Sequence, residues 1–280
     1  MTDLGAIFLP QNPPERLPEV ARAADDAGLE QLWLWEDCFL HSGIAAASAA
    51  LAVTTRLKVG IGILPVPFRN VAIAAMEIAT LHRLFGDRPI VGLGHGVQDW
   101  MGQVGARAAS PMTLLREYTT ALRGLLQGES VTTDGRYVHL DAVKLDWPPD
   151  RAPRLFVGAM GPKTMQLAGE IADGTILTGS TTPEALREAR GRINPGPAHE
   201  IVVYLPAATG PGAADRLARD QEKYGSPWPG VSGDAAAIAE VVQEMAAAGA
   251  DTVILQPTPD EPSPEGFVRF VAEEVRPLVK

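Results

Sequence analysis

Short, continuously apolar runs alternate along this chain with longer segments whose apolar residues recur at helical spacing. Leu4–Leu9 reads as a first strand, and a Pro-rich turn leads into an amphipathic helix from about Leu17 to Ala27 that Gly28 stops. Leu32–Trp35 is a second strand, followed by an Ala-rich helix from Ile44 to Val53. Lys58–Leu64 and Ile90–Gly94 are the third and fourth, with a helix from Val71 to Leu84 between them. A long loop then precedes a helix around Thr113–Leu126. These units recur with a step of roughly 30 residues, the size of a strand–helix repeat in a parallel sheet. Strands buried on both faces should be apolar throughout, and these are.

Residues 129–150 break the rhythm. Val131–Thr133, Asp134-Gly135 and Tyr137–Leu140 predict a β-hairpin, with Asp-Gly supplying the positive φ angles of a tight turn. The repeat then resumes. Leu155–Val157, Thr175–Leu177, Ile201–Leu205 and Thr252–Leu255 read as strands five to eight. Helices are expected from Pro162 to Ala172, from Pro183, around Ala235–Ala248 and over Glu265–Val279, with an irregular segment containing GSPWPG before Ala235. Eight strands and eight helical segments predict an α/β fold, a (β/α)8 TIM barrel with a short β-hairpin insertion between strands 4 and 5. One barrel domain over residues 1–280 is expected. An open doubly wound sheet would carry a Gly-rich fingerprint after its first strand, and FLPQNPPE is not one.

Composition narrows the function. Hydrophobic residues make up 46% of the chain, enough for a large core, yet no apolar run approaches the roughly 20 residues of a membrane helix. The first residues read as a strand, not a secretory leader. A net charge of −10 without a basic cluster disfavours nucleic acid and anionic membranes as partners. One cysteine, Cys38, excludes an intramolecular disulfide and a cysteine-built metal cage, so no metal is expected. A cytoplasmic protein acting on a small-molecule substrate is expected.

In such a barrel the chemistry sits at the carboxyl ends of the strands. Strand two ends in Trp35-Glu36-Asp37, with His41 nearby, so Glu36 and Asp37 are candidate acids, bases or cofactor anchors; the alternative is that they cap a turn. Strand three ends at Leu64-Pro65, where the prolines suit a cis peptide, a bulge or a stiffened loop. Strand four ends at Gly92-Leu93-Gly94-His95-Gly96, whose glycines let a flat ligand or phosphate approach the backbone, and His95 is a candidate proton donor. Strand five leads into Met160, Gly161, Pro162, Lys163 and Thr164 at the start of a helix, where free N–H groups and the helix dipole favour an anion. No lysine sits in the carboxyl half of a strand, against Schiff-base chemistry, and Ser180 lacks a nucleophile-elbow context.

Four stretches resemble the luciferase-like monooxygenase superfamily of flavin- and F420-dependent oxidoreductases, over essentially the whole chain. They are ARAADDAGLEQLWLWED, the block from RLKVGIGILP to IVGLGHG, RAPRLFVGAMGPKTMQLAGEIADGTILTG, and GADTVILQP. The resemblance implies reduced coenzyme F420, or FMN as the alternative, in the barrel mouth. The ring would lie against a backbone bulge near Ile63 and Leu64, with Gly94, His95 and Gly96 at one side. The phosphate would sit on Gly161–Thr164, and Thr178, Gly179 and Ser180 would face the pocket. F420-using relatives often carry an Asp-His pair after strand two; here Glu36 and Asp37 stand there, so Asp37 replaces the histidine. The acidic residue of sugar-phosphate-oxidising relatives after strand four is also missing, with Val97 near that point.

The expected function is hydride transfer between F420 and a small organic substrate, with Asp37 first and His95 second as proton-handling groups. The alternatives are an FMN-dependent monooxygenase fed by a flavin or F420 reductase, and a non-catalytic barrel that carries the cofactor. A homodimer through the apolar second and third helices is a further expectation, with a monomer as its alternative.

Overall fold

The inward side chains of the strands are large where their neighbours are glycine, and this complementarity closes the barrel. The computed structural model describes residues 2–224 and 230–279; of the GSPWPG segment, residues 225–229 lie outside the described residues. The first half comprises β1 (Asp3–Phe8), α1 (Leu17–Ala27), β2 (Gln31–Leu34), α2 (Gly43–Ala52), β3 (Lys58–Pro65), α3 (Val71–Phe85) and β4 (Pro89–Gly94). After β4 come α4 (Gln98–Gln103), α5 (Pro111–Leu126) and the hairpin strands β5 (Val131–Asp134) and β6 (His139–Val143). The second half runs through β7 (Leu155–Gly158), α6 (Pro162–Ile171), β8 (Gly174–Leu177), α7 (Pro183–Ile193) and β9 (Glu200–Ala208). It ends with α8 (Ala213–Tyr224), β10 (Val231–Ser232), α9 (Ala235–Ala248), β11 (Thr252–Gln256) and α10 (Pro264–Phe270).

Strands β1, β2, β3, β4, β7, β8, β9 and β11 pair in that order, all parallel, and β11 pairs back onto β1. This is the expected eight-stranded TIM barrel, with β5–β6 as a separate antiparallel hairpin between the fourth and fifth barrel strands. The period-two alternation of a strand separates two cores. Leu4, Ala6 and Phe8 of β1, with Leu32 and Leu34 of β2, face the helices, whereas Ile7, Trp33, Phe156, Ile176, Val202, Tyr204 and Ile254 fill the interior. A methyl group at Gly60 would come within 2.4 Å of the Trp33 ring, so only glycine there lets the indole cross the barrel.

The structure departs from the sequence reading in three places. The long loop after β4 contains α4, too short at six residues to announce itself by periodicity. The stretch before α9 contains α8 and the short β10, which extends β9 at Ala207 and Ala208. Helix α8 was hidden because, among the described residues, its buried apolar contacts come from only Ala213 and Leu217 against Ala208, with the charged Arg216 buried beside them. The hairpin does not turn on a two-residue Asp-Gly: Gly135 N donates to Val138 O at 2.9 Å, and the positive φ belongs to Ala142 at 51°. The Glu117 carboxylate on α5 accepts the N–H groups of Arg136, Tyr137 and Val138 at 2.9, 2.8 and 3.2 Å, which holds this wider loop open.

The packing of α1 against the start of β3 rests on one buried carboxylate. Asp25 is 8% exposed and accepts from the backbone N–H groups of Thr55, Arg56 and Leu57 at 2.8, 2.9 and 2.7 Å, and from the Thr55 hydroxyl at 3.0 Å. Burial pushes its pKa up, but the three backbone donors and the hydroxyl outweigh it and hold the pKa below the usual value. Asp25→Ala should cost about 2–4 kcal/mol, read as a lower urea midpoint, because it removes four hydrogen bonds and strands the buried Leu57 N–H. A depressed folded-state pKa stabilises above the unfolded value of about 3.9 and is lost as pH falls through the folded value. The variant should therefore show a shallower acid loss of stability than the parent, and equal pH slopes would refute this role.

Candidate functional site

A cavity of about 360 Å³ opens at the carboxyl ends of the barrel strands. Trp33 seals the interior below it, fully buried, with its Nε1 donating to Gln31 Oε1 at 2.9 Å. One wall is aromatic and comes from Trp35 and Tyr204, whose rings lie 5.8 Å apart and 30° from parallel. Trp100 of α4 and Val97 form another part of the rim.

The end of β3 shapes the side wall. Ile61 pairs with Val91 and Leu64 with Leu93, so β3 carries an extra residue at this point and bulges. The cis peptide lies between Gly62 and Ile63, inside the bulge, and not at Leu64-Pro65. Gly62 and Ile63, consecutive residues, both reach the cavity as a result, and the Tyr204 hydroxyl donates to the Gly62 carbonyl at 3.3 Å. The Ile63 side chain occupies space left by Gly92, Gly94 and Gly158, where an added methyl would fall 3.2, 2.9 and 2.9 Å from it. Leu64 is 2% exposed and packs in the outer core, so of the expected pair only Ile63 forms the wall.

The two carboxylates after β2 have separate environments. Both Glu36 oxygens accept from Arg69, and Oε2 also accepts from Gly43 N at the start of α2, at 2.6 Å. Arg69 continues through its Nε to Glu77 at 3.1 Å. Burial works against the Arg69 charge, but its bond to Glu36 and the two carboxylate charges raise its pKa overall. Glu36 thus borders the cavity with its oxygens committed. Asp37, half-buried, lines the cavity and makes no side-chain hydrogen bond among the described residues. Burial pushes its pKa up. His41 is not part of the wall; its ring stacks on Phe8 at 6.0 Å.

The opposite side is built by β4 and the β7–α6 turn. Gly94, His95 and Gly96 line it, and His95 Nε2 lies 3.3 Å from Thr164 Oγ1. Burial pushes the His95 pKa down and favours the neutral ring, outweighing the Pro111 backbone, which raises it. Helix α6 begins here with Gly161 at its N-cap, Pro162 in its first turn and no side-chain cap, which leaves its first N–H groups without a side-chain acceptor. Met160, Gly161 and Thr164 line the cavity, and a methyl at Gly161 would meet nothing within 4 Å. Pro162 and Lys163 are exposed and stand outside the wall. Thr178 and Gly179 at the end of β8 complete it, with Ser180 bonded to Thr178 Oγ1 at 3.0 Å.

Tyr204 and Gln256 were not singled out from the sequence. Each is a polar-tipped residue on an otherwise apolar strand, Tyr204 in IVVYLP and Gln256 at the end of TVILQ. A polar group near the carboxyl end of a barrel strand is the signal that could have found them.

The model of the luciferase-like monooxygenase family matches residues 2–250. The 5,10-methylenetetrahydromethanopterin reductase of Methanolobus tindarius is 33% identical over 177 residues, 63% of this chain and 54% of that protein. The F420-dependent glucose-6-phosphate dehydrogenase of Microbacterium testaceum is 31% identical over 188 residues, 62% and 56% of the two chains. The chain thus spans a little over half the length of the curated relatives it matches. Among solved structures, the coenzyme F420-dependent tetrahydromethanopterin reductase of Methanopyrus kandleri superposes with a TM-score of 0.86 at 21% identity, covering 100% and 99% of the two chains. The oxygenating constituent of 3,6-diketocamphane monooxygenase from Pseudomonas putida, in complex with FMN, gives 0.80 at 18% identity over 100% and 99%. A family match over nearly nine-tenths of its length (249 of 280 residues), on a barrel of the same architecture, places the chain in the luciferase-like monooxygenase family.

Proposed function

We propose that this protein is an oxidoreductase that moves a hydride between coenzyme F420 and a small organic substrate lying over the deazaflavin ring. The observation that carries this reading is the pairing, in one cavity, of an uncapped helix N-terminus with an unbonded carboxylate, Asp37, across an apolar floor. The names of the F420-dependent relatives support the choice of cofactor.

The residues present fit such a group. Gly161 leaves open space before α6, where backbone N–H groups and the helix dipole suit a phosphate, with the Thr164 hydroxyl beside them. The glycines at 62, 94, 96 and 158 make room for Tyr204, Ile63 and Met101, and Ile63 set there offers a flat ring an apolar shelf. When bound, the deazaflavin supplies the hydride chemistry, while the protein supplies orientation and a proton path. Asp37 holds or takes the proton at its carboxylate, and His95, biased toward the neutral ring, is the second proton-handling group. Trp35, Tyr204 and Trp100 keep water from the reacting face. The exposed apolar side chains Ile73, Met76 and Leu84 on α3 support a homodimer.

Titrating the purified protein with F420 and with FMN, followed by fluorescence, should give the lower dissociation constant for F420. A preference for FMN would favour oxygen chemistry from reduced flavin instead, and binding of neither would remove the cofactor assignment. Asp37→Asn should leave F420 affinity within about threefold and reduce kcat by about a hundredfold or more. An unchanged kcat would remove Asp37 from the mechanism.

A further inference from the structure

The charge of the cavity is one-sided. Among the described residues that line it, the ionisable side chains are Glu36, Asp37, His95 and Tyr204; no lysine or arginine is among them. Glu36 is already neutralised by Arg69, which reaches it from outside the wall. Burial biases His95 toward its neutral form and pushes the Tyr204 hydroxyl, bonded to Gly62 O, far above its usual titration range. Asp37 is left as a half-buried carboxylate with no cation and no side-chain hydrogen-bond donor among the described residues. A half-buried carboxylate of this kind is stabilised by taking up a proton or by a counter-charge, and the described lining supplies no cation. Lys163, the nearest cation in sequence to the β7–α6 turn, stands outside the wall.

We infer that the substrate supplies that charge: the site takes an apolar organic cation, an iminium or protonated amine, with its nitrogen against Asp37. This deepens the F420 reading and rests on it for the reaction, though not for the binding. The aromatic faces of Trp35, Tyr204 and Trp100 suit such a ligand, because a ring quadrupole attracts a cation that its apolar body also packs against. An anionic substrate such as a sugar phosphate would meet the Asp37 carboxylate with no cation in the substrate-facing wall. For an iminium the chemistry balances without a proton donor. The carbon of the C=N bond takes up a hydride, the nitrogen keeps the former π pair and becomes neutral, and the reduced deazaflavin is oxidised with release of one proton. Asp37 is placed to accept that proton.

The test compares an N-methyl-dihydroisoquinolinium salt with its uncharged ketone isostere, tetralone. Binding to the full-length protein without cofactor is followed by tryptophan fluorescence, and oxidation of reduced F420 is followed with cofactor. The iminium should bind at least about tenfold more tightly than tetralone and show the higher kcat/KM. Asp37→Asn should abolish the preference, and Asp37→Glu should restore part of it. A structural defect would weaken both probes alike and leave their ratio unchanged. Equal or tighter binding of tetralone, or a preference that survives in Asp37→Asn, would overturn the inference. If F420 itself fails to bind, the deazaflavin reading fails, and the cofactor-free binding ratio still decides this one.

Discussion

Everything functional in this molecule depends on how the barrel interior is filled. The Trp33 indole crosses the lumen because Gly60 has no side chain, and Tyr204 leans on it edge-on at 5.9 Å between centroids. That packing turns a closed barrel into a cup. Below Trp33 lie Gln31 and its bonds; above it, the cavity opens at the ends of β3, β4 and β7, where Ile63 fills the space left by Gly92, Gly94 and Gly158. A bulkier residue at Gly92, 2.4 Å from the Ile176 side chain, would push into the same packing. Stability and the existence of a site are thus set by the same choices of large against absent side chain.

The rim is held by a second device, the Glu36–Arg69 pair. Glu36 ties three segments together: the end of β2, the first turn of α2 through Gly43 N, and the turn after β3 through Arg69. The side chains are 7% and 16% exposed, so the pair is largely desolvated, and removing one partner would strand the other. Its neighbour Asp37 follows directly on this clamp, and its side chain makes no hydrogen bond among the described residues. Two adjacent carboxylates therefore differ in setting, one a strut with its oxygens committed and one half-buried at the cavity.

Much of this was legible in the sequence. The eight barrel strands announced themselves as continuous apolar runs because each is buried on both faces. The polar residues at strand ends led to Asp37, His95 and Thr164 because position along a strand is preserved in a barrel. The direction of a side chain was harder. In a regular strand Leu64 would share the inward face of Gly60 and Gly62; the bulge inserts one residue and sends Leu64 outward and Ile63 inward. His41 was close in sequence but is drawn away to stack on Phe8. Tyr204 and Gln256 escaped notice because they come from late strands, and only closure of β9 onto β8 and β11 brings them beside Trp35 and Gly179.

The electrostatic arrangement of the cavity joins these devices into one argument. A helix N-terminus attracts negative charge and a lone carboxylate attracts positive charge, and this cavity offers one of each on separate elements, α6 and the segment after β2. A ligand pair in which one member is anionic at its tail and the other cationic at its reacting centre satisfies both ends at once. On the proposed reading, reversing the two would place a phosphate against Asp37 and a cation against the N–H groups of α6. Between the two ends the wall is formed by Ile63, set into the space of Gly94 and Gly158, and by the rings of Trp35 and Tyr204, none of which carries a charge.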